Sequence, residues 1–359
     1  MQTCQSMYEV IVPDQFLRLG FAAKVLGEPG LKSNDARRWQ SGPHLRQSLV
    51  YLRAIFDYLT RSGIAMYRMS SDLAPYATHP DLPQFHHQIR ECAAELGDLG
   101  RHARATGLRL SFHPSQFIVL NSPDRAVVEK SIWDLTSQAE ILDYMELGPE
   151  AVLVVHVGGV YGDKVSGRAR WIDTYYQLPE PVRRRLVLEN DDIRFSAADV
   201  LTIHDATGVP LVFDNLPFWC NNPEELSIMP TFERFVRTWR GKVRPKMHFS
   251  SPRTEFRSVA RKNRTTGKSD TVLQPPIWTG HADFLNPFEF ITFLRAASHL
   301  PCDVMLEAKA KDRALIRLRR DLARYAPDVA TRFGVMPDGG VPESTLGSDE
   351  QCVPDDGDA

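Results

Sequence analysis

The feature that most constrains this chain is an alternation. Eight short β-rich runs are each followed by a longer stretch with helical spacing. The runs are Arg18–Phe21, Ile64–Ser70, Leu108–His113, Ala151–Val157, Arg185–Glu189, Pro210–Asp214, Pro245–Phe249 and Asp303–Glu307. Between Leu45 and Leu59 the apolar residues Leu45, Leu49, Leu52, Ile55, Phe56 and Leu59 fall near one helical face, and Val127–Leu147 and Asn286–Ala297 read similarly. Pro287 suits a first helical turn, and Gly63, Gly107 and Gly208 stand just before strands, where helices end. Alternating βα units predict a parallel α/β fold. No Gly-x-Gly-x-x-Gly follows a strand, so a doubly wound nucleotide-binding sheet is the weaker option. The expectation is a TIM (β/α)8 barrel, and 359 residues suffice for one as a single domain.

Composition is that of a globular protein, 43% hydrophobic and 25% charged. No apolar run approaches the roughly 18 residues of a membrane span. The start lacks a basic segment followed by an apolar core, so no signal peptide and no membrane partner are expected. The five cysteines, Cys4, Cys92, Cys220, Cys302 and Cys352, are scattered and form no C-x-x-C pair. That pattern suits reduced thiols and a cytoplasmic location. The net charge of −2 hides an asymmetry: seven of the 45 acids and none of the 43 bases lie between Pro337 and Ala359. The rest of the chain is therefore about +5. The expected division is an N-terminal extension over 1–17, a barrel domain over 18–330 and a disordered acidic tail over 331–359.

What ends the strands points to chemistry. The third run ends in His113, the fourth in His156, the fifth in Glu189, the sixth in Asp214, the seventh in His248 and the eighth in Glu307, while His281 follows a long link. Any one of these has a bland explanation as a hydrogen-bonding residue. Six consecutive strand ends converge on one mouth of a barrel, where functional residues gather. So many carboxylates and imidazoles are costly to bury together without cations. Divalent metals are the simplest compensation, and a His/carboxylate set without cysteine suits zinc, manganese or iron. Glu189, on a central strand, can bridge two metals, an arrangement that clamps a phosphodiester. Aldose–ketose isomerisation is the competing chemistry for a metal-dependent barrel.

The link after the seventh run, about Ser250–Asn286, is far longer than an ordinary βα loop. Between Ser251 and Gly280 it holds Arg253, Arg257, Arg261, Lys262, Arg264 and Lys268 against Glu255 and Asp270, with Trp278 beside them. It reads as a solvated surface loop or as a grip on a polyanion at the mouth.

From about Arg18 to Leu322 the chain resembles the UV damage endonucleases, relatives of endonuclease IV. The carrying motifs are RLGF, GIAMYRMSSDLAPYATH, GLRLSFHPSQFIVLNSP, VVHVGG, LVLENDD, LVFDN, PKMHFSSPR, HADF and MLEAKAKD, in this order. The resemblance implies a monomeric, metal-dependent barrel that nicks damaged double-stranded DNA immediately 5′ to cyclobutane dimers and 6-4 photoproducts, and often abasic sites. The ends left are a 3′-hydroxyl and a 5′-phosphate, and the usual metal is Mn2+, two or three ions. It implies His113, His156, Glu189, Asp214, His248, His281 and Glu307 as metal ligands, with Glu189, Lys246 and Glu307 as the catalytic set. Lys246 matches a lysine that some members carry as a carbamate. Gln116 and Phe117 match a pair inserted into the duplex at the lesion, and Phe21 matches an aromatic near the lesion. His79 and Arg68 match substrate or backbone contacts, and Arg253 is the candidate phosphate contact at the start of the long link.

One position departs from the pattern. Three residues after the strand-end aspartate the family usually has a histidine, whereas this chain has Pro217. Two alternatives to a repair endonuclease therefore stand beside it: a lesion-binding protein with impaired cleavage, and a sugar isomerase of the same barrel type.

Overall fold

A computed structural model describes residues 16–239, 243–262, 267 and 269–336. The expected eight strands are present: β1 (Leu19–Ala22), β2 (Met66–Arg68), β3 (Arg109–Phe112), β4 (Val152–His156), β5 (Leu186–Glu189), β6 (Leu211–Asp214), β7 (Lys246–Phe249) and, after an insertion, β12 (Asp303–Leu306). They close into one barrel in the order β1-β12-β7-β6-β5-β4-β3-β2, every adjacent pair parallel.

Strand parity sorts the side chains. Leu19, Phe21, Leu110, Phe112, Leu153, Val155, Leu188, Phe213, Met247 and Phe249 join the large core that the strands share with the surrounding helices. The alternate residues Val152, Val154, Val187 and Val212 form a separate small cluster with Trp239 inside the barrel. His156, Glu189 and Asp214 continue that inward series by one pleat each. Lys246 and His248 keep the same parity between outward Met247 and Phe249. A strand end here thus means the top of the barrel interior.

The helices are α1 (Leu45–Arg61), α2 (Gln88–Glu91), α3 (Ala93–Ala105), α4 (Arg125–Tyr144), α5 (Lys164–Gln177), α6 (Glu180–Arg183), α7 (Ala197–Thr207), α8 (Asn215–Cys220), α9 (Ile228–Arg237), α10 (Pro287–Ala296), α11 (Lys311–Tyr325) and α12 (Pro327–Arg332). The apolar stripe of α1 is buried as its spacing predicts. Asp124, Asp163 and Asn286 cap α4, α5 and α10, and a Ser196–Asp199 capping box starts α7. Gly208, at φ 75°, ends α7 in the left-handed conformation that glycine adopts without steric cost.

The long link is not a plain loop. It holds β8 (Pro252–Arg253), β9 (Arg257–Lys262), β10 (Ser269–Gln274) and β11 (Ile277–His281), paired antiparallel as β8·β11 and β9·β10. The barrel also runs past its expected limits. Leu17 is buried and its N–H donates to the Arg332 carbonyl at 2.7 Å, and Phe333 packs against Phe290. Residues 1–15 and the acidic stretch 337–359, expected to be disordered, lie outside the described residues. Cys92, Cys220 and Cys302 are free thiols, and no described helix is long and apolar enough to cross a membrane.

Candidate active site

At the top of the barrel the strand-end residues meet around Glu189. Register places His156 beside Glu189 across β4/β5 and Asp214 beside His248 across β6/β7. The Glu189 carboxylate receives His113 Nε2 at 2.9 Å on Oε2 and His248 Nδ1 at 2.5 Å on Oε1, with His156 Nε2 at 3.7 Å. Two ligand sets result, His113–His156–Glu189 and Glu189–Asp214–His248, each with its donor atoms within 4.8 Å of one another. Glu189 belongs to both. His156 Nδ1 and His248 Nε2 are buried with no hydrogen-bond partner. Orphaned imidazole nitrogens beside buried carboxylates form a nitrogen/oxygen donor set that fits divalent cations.

Burial raises the pKa of Glu189, but His248, His113 and His156 outweigh it and hold the carboxyl well below its ordinary range. Asp214 goes the other way, pushed well above the ordinary range by burial and by the Glu307 and Glu189 charges. Two neighbouring carboxyls driven apart in this way are what a site short of positive charge produces. Asp214 is held in place from both sides of its backbone: Asn190 Nδ2 donates to its carbonyl at 3.1 Å and Asn190 Oδ1 accepts from its N–H at 3.0 Å. Its carboxylate also accepts the Leu216 N–H, capping α8. Asn215 Oδ1 accepts the Ser250 N–H at 3.0 Å and ties the ends of β6 and β7 together. Neither Asn190 nor Asn215 had a role assigned from sequence; an amide residue directly after a strand-end carboxylate was the available signal.

Glu307 and His281 stand beside these sets without joining either. Glu307 is 3.5 Å from His248 Nδ1 and 3.8 Å from His281 Nε2. Burial opposes its ionisation, but Arg68, His248 and His281 hold its pKa down. Pro217 lies within α8, and neither three-residue set uses it. Lys246 is fully buried under the mouth and donates from Nζ to Ser111 Oγ at 3.0 Å. Burial, then the Arg109 and Arg68 charges, push its pKa well below the usual lysine value.

The residues expected at DNA divide. Gln116 and Phe117 stand exposed in the turn after β3, Phe117 at 71%. His79 lines a cleft of about 330 Å³ with Phe117, Ser115, Lys130 and Asp134. The other three are drawn into the protein's own packing and ion pairs. Phe21 is completely buried and packs edge-on against Tyr67, because its parity on β1 turns it into the helix layer and leaves Gly20 and Ala22 facing inward. Arg68 is paired with Glu307 at the mouth, beside the ligand sets. Arg253 is buried at the root of the insertion, with Nη2 on the Pro275 carbonyl at 3.3 Å.

The sequence profile of the UV-endonuclease UvdE family matches residues 44–332, most of the chain. The chain belongs to this family. The UV DNA damage endonuclease of Bacillus velezensis is 34% identical over 276 residues, 76% of this chain and 79% of that protein. That of Bacillus pumilus is 33% identical over 278 residues, 76% of this chain and 79% of that protein. Among solved structures, SacUVDE superposes with a TM-score of 0.70 at 28% identity, covering 86% of this chain and 98% of that one. Endonuclease IV from Thermus thermophilus shares the fold, with a TM-score of 0.52 at 14% identity, covering 86% of this chain and 100% of that one. The chain therefore has the closed eight-stranded barrel expected of it.

Proposed function

We propose that the chain is a DNA repair endonuclease that nicks the backbone immediately 5′ to UV photoproducts, and possesses the same activity at abasic sites. The observation that carries this reading is the pair of ligand sets sharing Glu189, with the exposed Gln116–Phe117 turn on the same mouth. His113, His156 and Glu189 would hold one divalent ion and Glu189, Asp214 and His248 the other, with manganese the expected metal. Such a pair, when bound, orients and polarises the scissile phosphate and neutralises charge on the attacking and leaving oxygens.

The protein's own part is positioning. Glu189, fully ionised by its three imidazoles, keeps both sets at a fixed spacing. Glu307, held as an anion by Arg68, orients His248 and His281 at the rim. Burial, then the Arg109 and Arg68 charges, make Lys246 give up its proton more readily than an exposed lysine, and the neutral amine is the form that adds CO2 with loss of a proton to give a carbamate. Phe117 offers a stacking face for the gap left by a displaced lesion, and Gln116 hydrogen-bonds the orphaned bases. Lesions that already weaken stacking cost less to extrude, so selectivity follows distortion. The protein acts as a monomer in the cytoplasm.

Both ligand sets are complete without a donor at position 217, so the pair of ions they would hold does not depend on one there. Sugar isomerisation leaves the exposed Gln116–Phe117 turn without a purpose. The test is a nicking assay with manganese on an end-labelled duplex carrying one thymine dimer, beside undamaged and abasic duplexes. The expected product is a single cut 5′ to the dimer, abolished by chelator. Dimer-selective binding without a cut, at confirmed metal occupancy, would establish the binding-only reading instead.

A further inference from the structure

The insertion after β7 contains a two-stranded ribbon that the metal centre does not use. Its strands pair over six positions, from Arg257↔Gln274 to Lys262↔Ser269, a span of about 20 Å. Its root is fixed to the barrel. Arg257 Nη2 bonds Asp283 Oδ1 at 2.5 Å and Glu255 Oε1 at 3.0 Å, and the Ser251 carbonyl and hydroxyl accept the Ala282 and Asn286 N–H groups. Beyond the root no ribbon residue belongs to either hydrophobic cluster. Arg261, Lys262, Thr271, Val272 and Leu273 are exposed, Leu273 at 62%.

A lone two-stranded ribbon is at best marginally stable in water, and this one shows apolar and cationic side chains to solvent together. Cross-strand pairs share a face, so Arg257, Val259, Arg261, Asp270 and Val272 lie on one side and Lys262, Ala260 and Leu273 on the other. Cations therefore stand on both faces. This pattern suits a ribbon flanked by phosphates better than one packed flat on a protein. A two-stranded ribbon also has the width of a DNA major groove. Its place in the fold agrees: in the closed barrel β7 lies four strands from β3 in either direction. The ribbon and Phe117 thus rise from opposite sides of one mouth.

We propose that the β9–β10 ribbon is a DNA arm that grips the duplex flank across the mouth from Phe117, with Arg261 and Lys262 at phosphates. This rests on the endonuclease reading and names a second contact surface independent of the metal centre. Two full-length variants test it. One replaces Ser258–Leu273 by Asn-Gly, a two-residue hairpin turn that leaves Arg257 and Gln274 in place. The other carries Arg261→Glu and Lys262→Glu in an intact ribbon. Binding to a 40-base-pair duplex (about four helical turns) with a central thymine dimer is followed by anisotropy across a salt series, with manganese affinity measured by calorimetry.

Both variants should bind roughly tenfold or more weakly at low salt and lower the salt slope by about one to two. Manganese affinity should not change. With the dimer moved towards one end the defect should disappear, and with it moved towards the other end the defect should persist. Variants equal to the unmodified chain in affinity and slope would overturn the arm, as would a defect indifferent to which flank is shortened. If the unmodified chain does not prefer the dimer duplex, it is the endonuclease reading that fails; if it does and the variants match it, only the arm fails.

Discussion

The two ends of the barrel interior both bury charge, and they do so in opposite ways. At the floor Asp303 is fully buried and binds Arg109 Nη1 at 2.9 Å, Arg18 Nη1 at 3.3 Å and Arg244 Nη1 at 3.4 Å, with the Arg18 N–H also on its carboxylate. One carboxylate is answered by three guanidiniums from the protein itself. At the mouth Glu189, Asp214 and Glu307 gather with the four imidazoles of His113, His156, His248 and His281, and Arg68 is a permanent cation at hand, bound to Glu307. Guanidinium cannot give up its proton, so the floor is a closed electrostatic unit that must stay intact. Imidazole is a common metal ligand, and the mouth offers a donor set that could hold an outside cation. The floor holds the fold together, and the mouth is shaped for something the chain does not supply.

The largest effect expected from breaking this contrast is at Glu189. Glu189→Gln keeps the shape but removes the charge common to both ligand sets, and nicking should fall about a thousandfold or more. The metal-free variant should unfold at nearly the same denaturant concentration as the unmodified chain, because the amide keeps the carboxyl's shape and still bonds the neighbouring imidazoles. Asp303→Ala reverses the pattern. Buried Arg109 and half-buried Arg18 and Arg244 would lose their shared partner, and stability should fall by about 3–5 kcal/mol, read as a lower urea midpoint. The folded fraction should keep its turnover number. A stable Asp303→Ala protein, or a Glu189→Gln protein that unfolds as readily, would erase the distinction between floor and mouth.

Much of this was legible in the sequence for a physical reason. A strand buried on both faces and ending in His or carboxylate leaves that residue one place to go, the rim of the barrel, so His113, His156, Glu189, Asp214 and His248 were identifiable before their contacts were known. Pairing was not legible. Arg68 and Glu307 are 239 residues apart, and only barrel closure brings them together. Facing was half legible. In Leu19-Gly20-Phe21-Ala22 the large apolar side chains alternate with small ones, which marks the helix-facing side, yet Phe21 was placed near the lesion by resemblance. The β9–β10 ribbon was hidden because it is exposed on both faces, so no apolar alternation records its strands.

Manganese addition gives a smaller, discriminating shift. Ligand that binds only the folded state stabilises it by about 2.7 kcal/mol at a hundredfold excess over Kd. The unmodified chain should show a gain of that order in thermal melts, and so should Asp303→Ala from its lower baseline. Glu189→Gln should show little or none. Equal stabilisation of all three would place the metal away from the Glu189 sets.

The smallest effect separates the rim of the mouth from its centre. Phe117 is 71% exposed, so Phe117→Ala removes almost no packing and should leave melting and manganese binding unchanged. If its ring stacks in the gap beside a displaced lesion, the loss is about 1–3 kcal/mol of binding to dimer-containing duplex. Binding to undamaged duplex has no such gap to fill and should be nearly unaffected. The readout is therefore the ratio of the two dissociation constants, falling roughly 5- to 150-fold, with Phe117→Trp restoring it. A ratio that stays constant while both affinities drop would make Phe117 a general contact, and discrimination would then have to come from the buried centre.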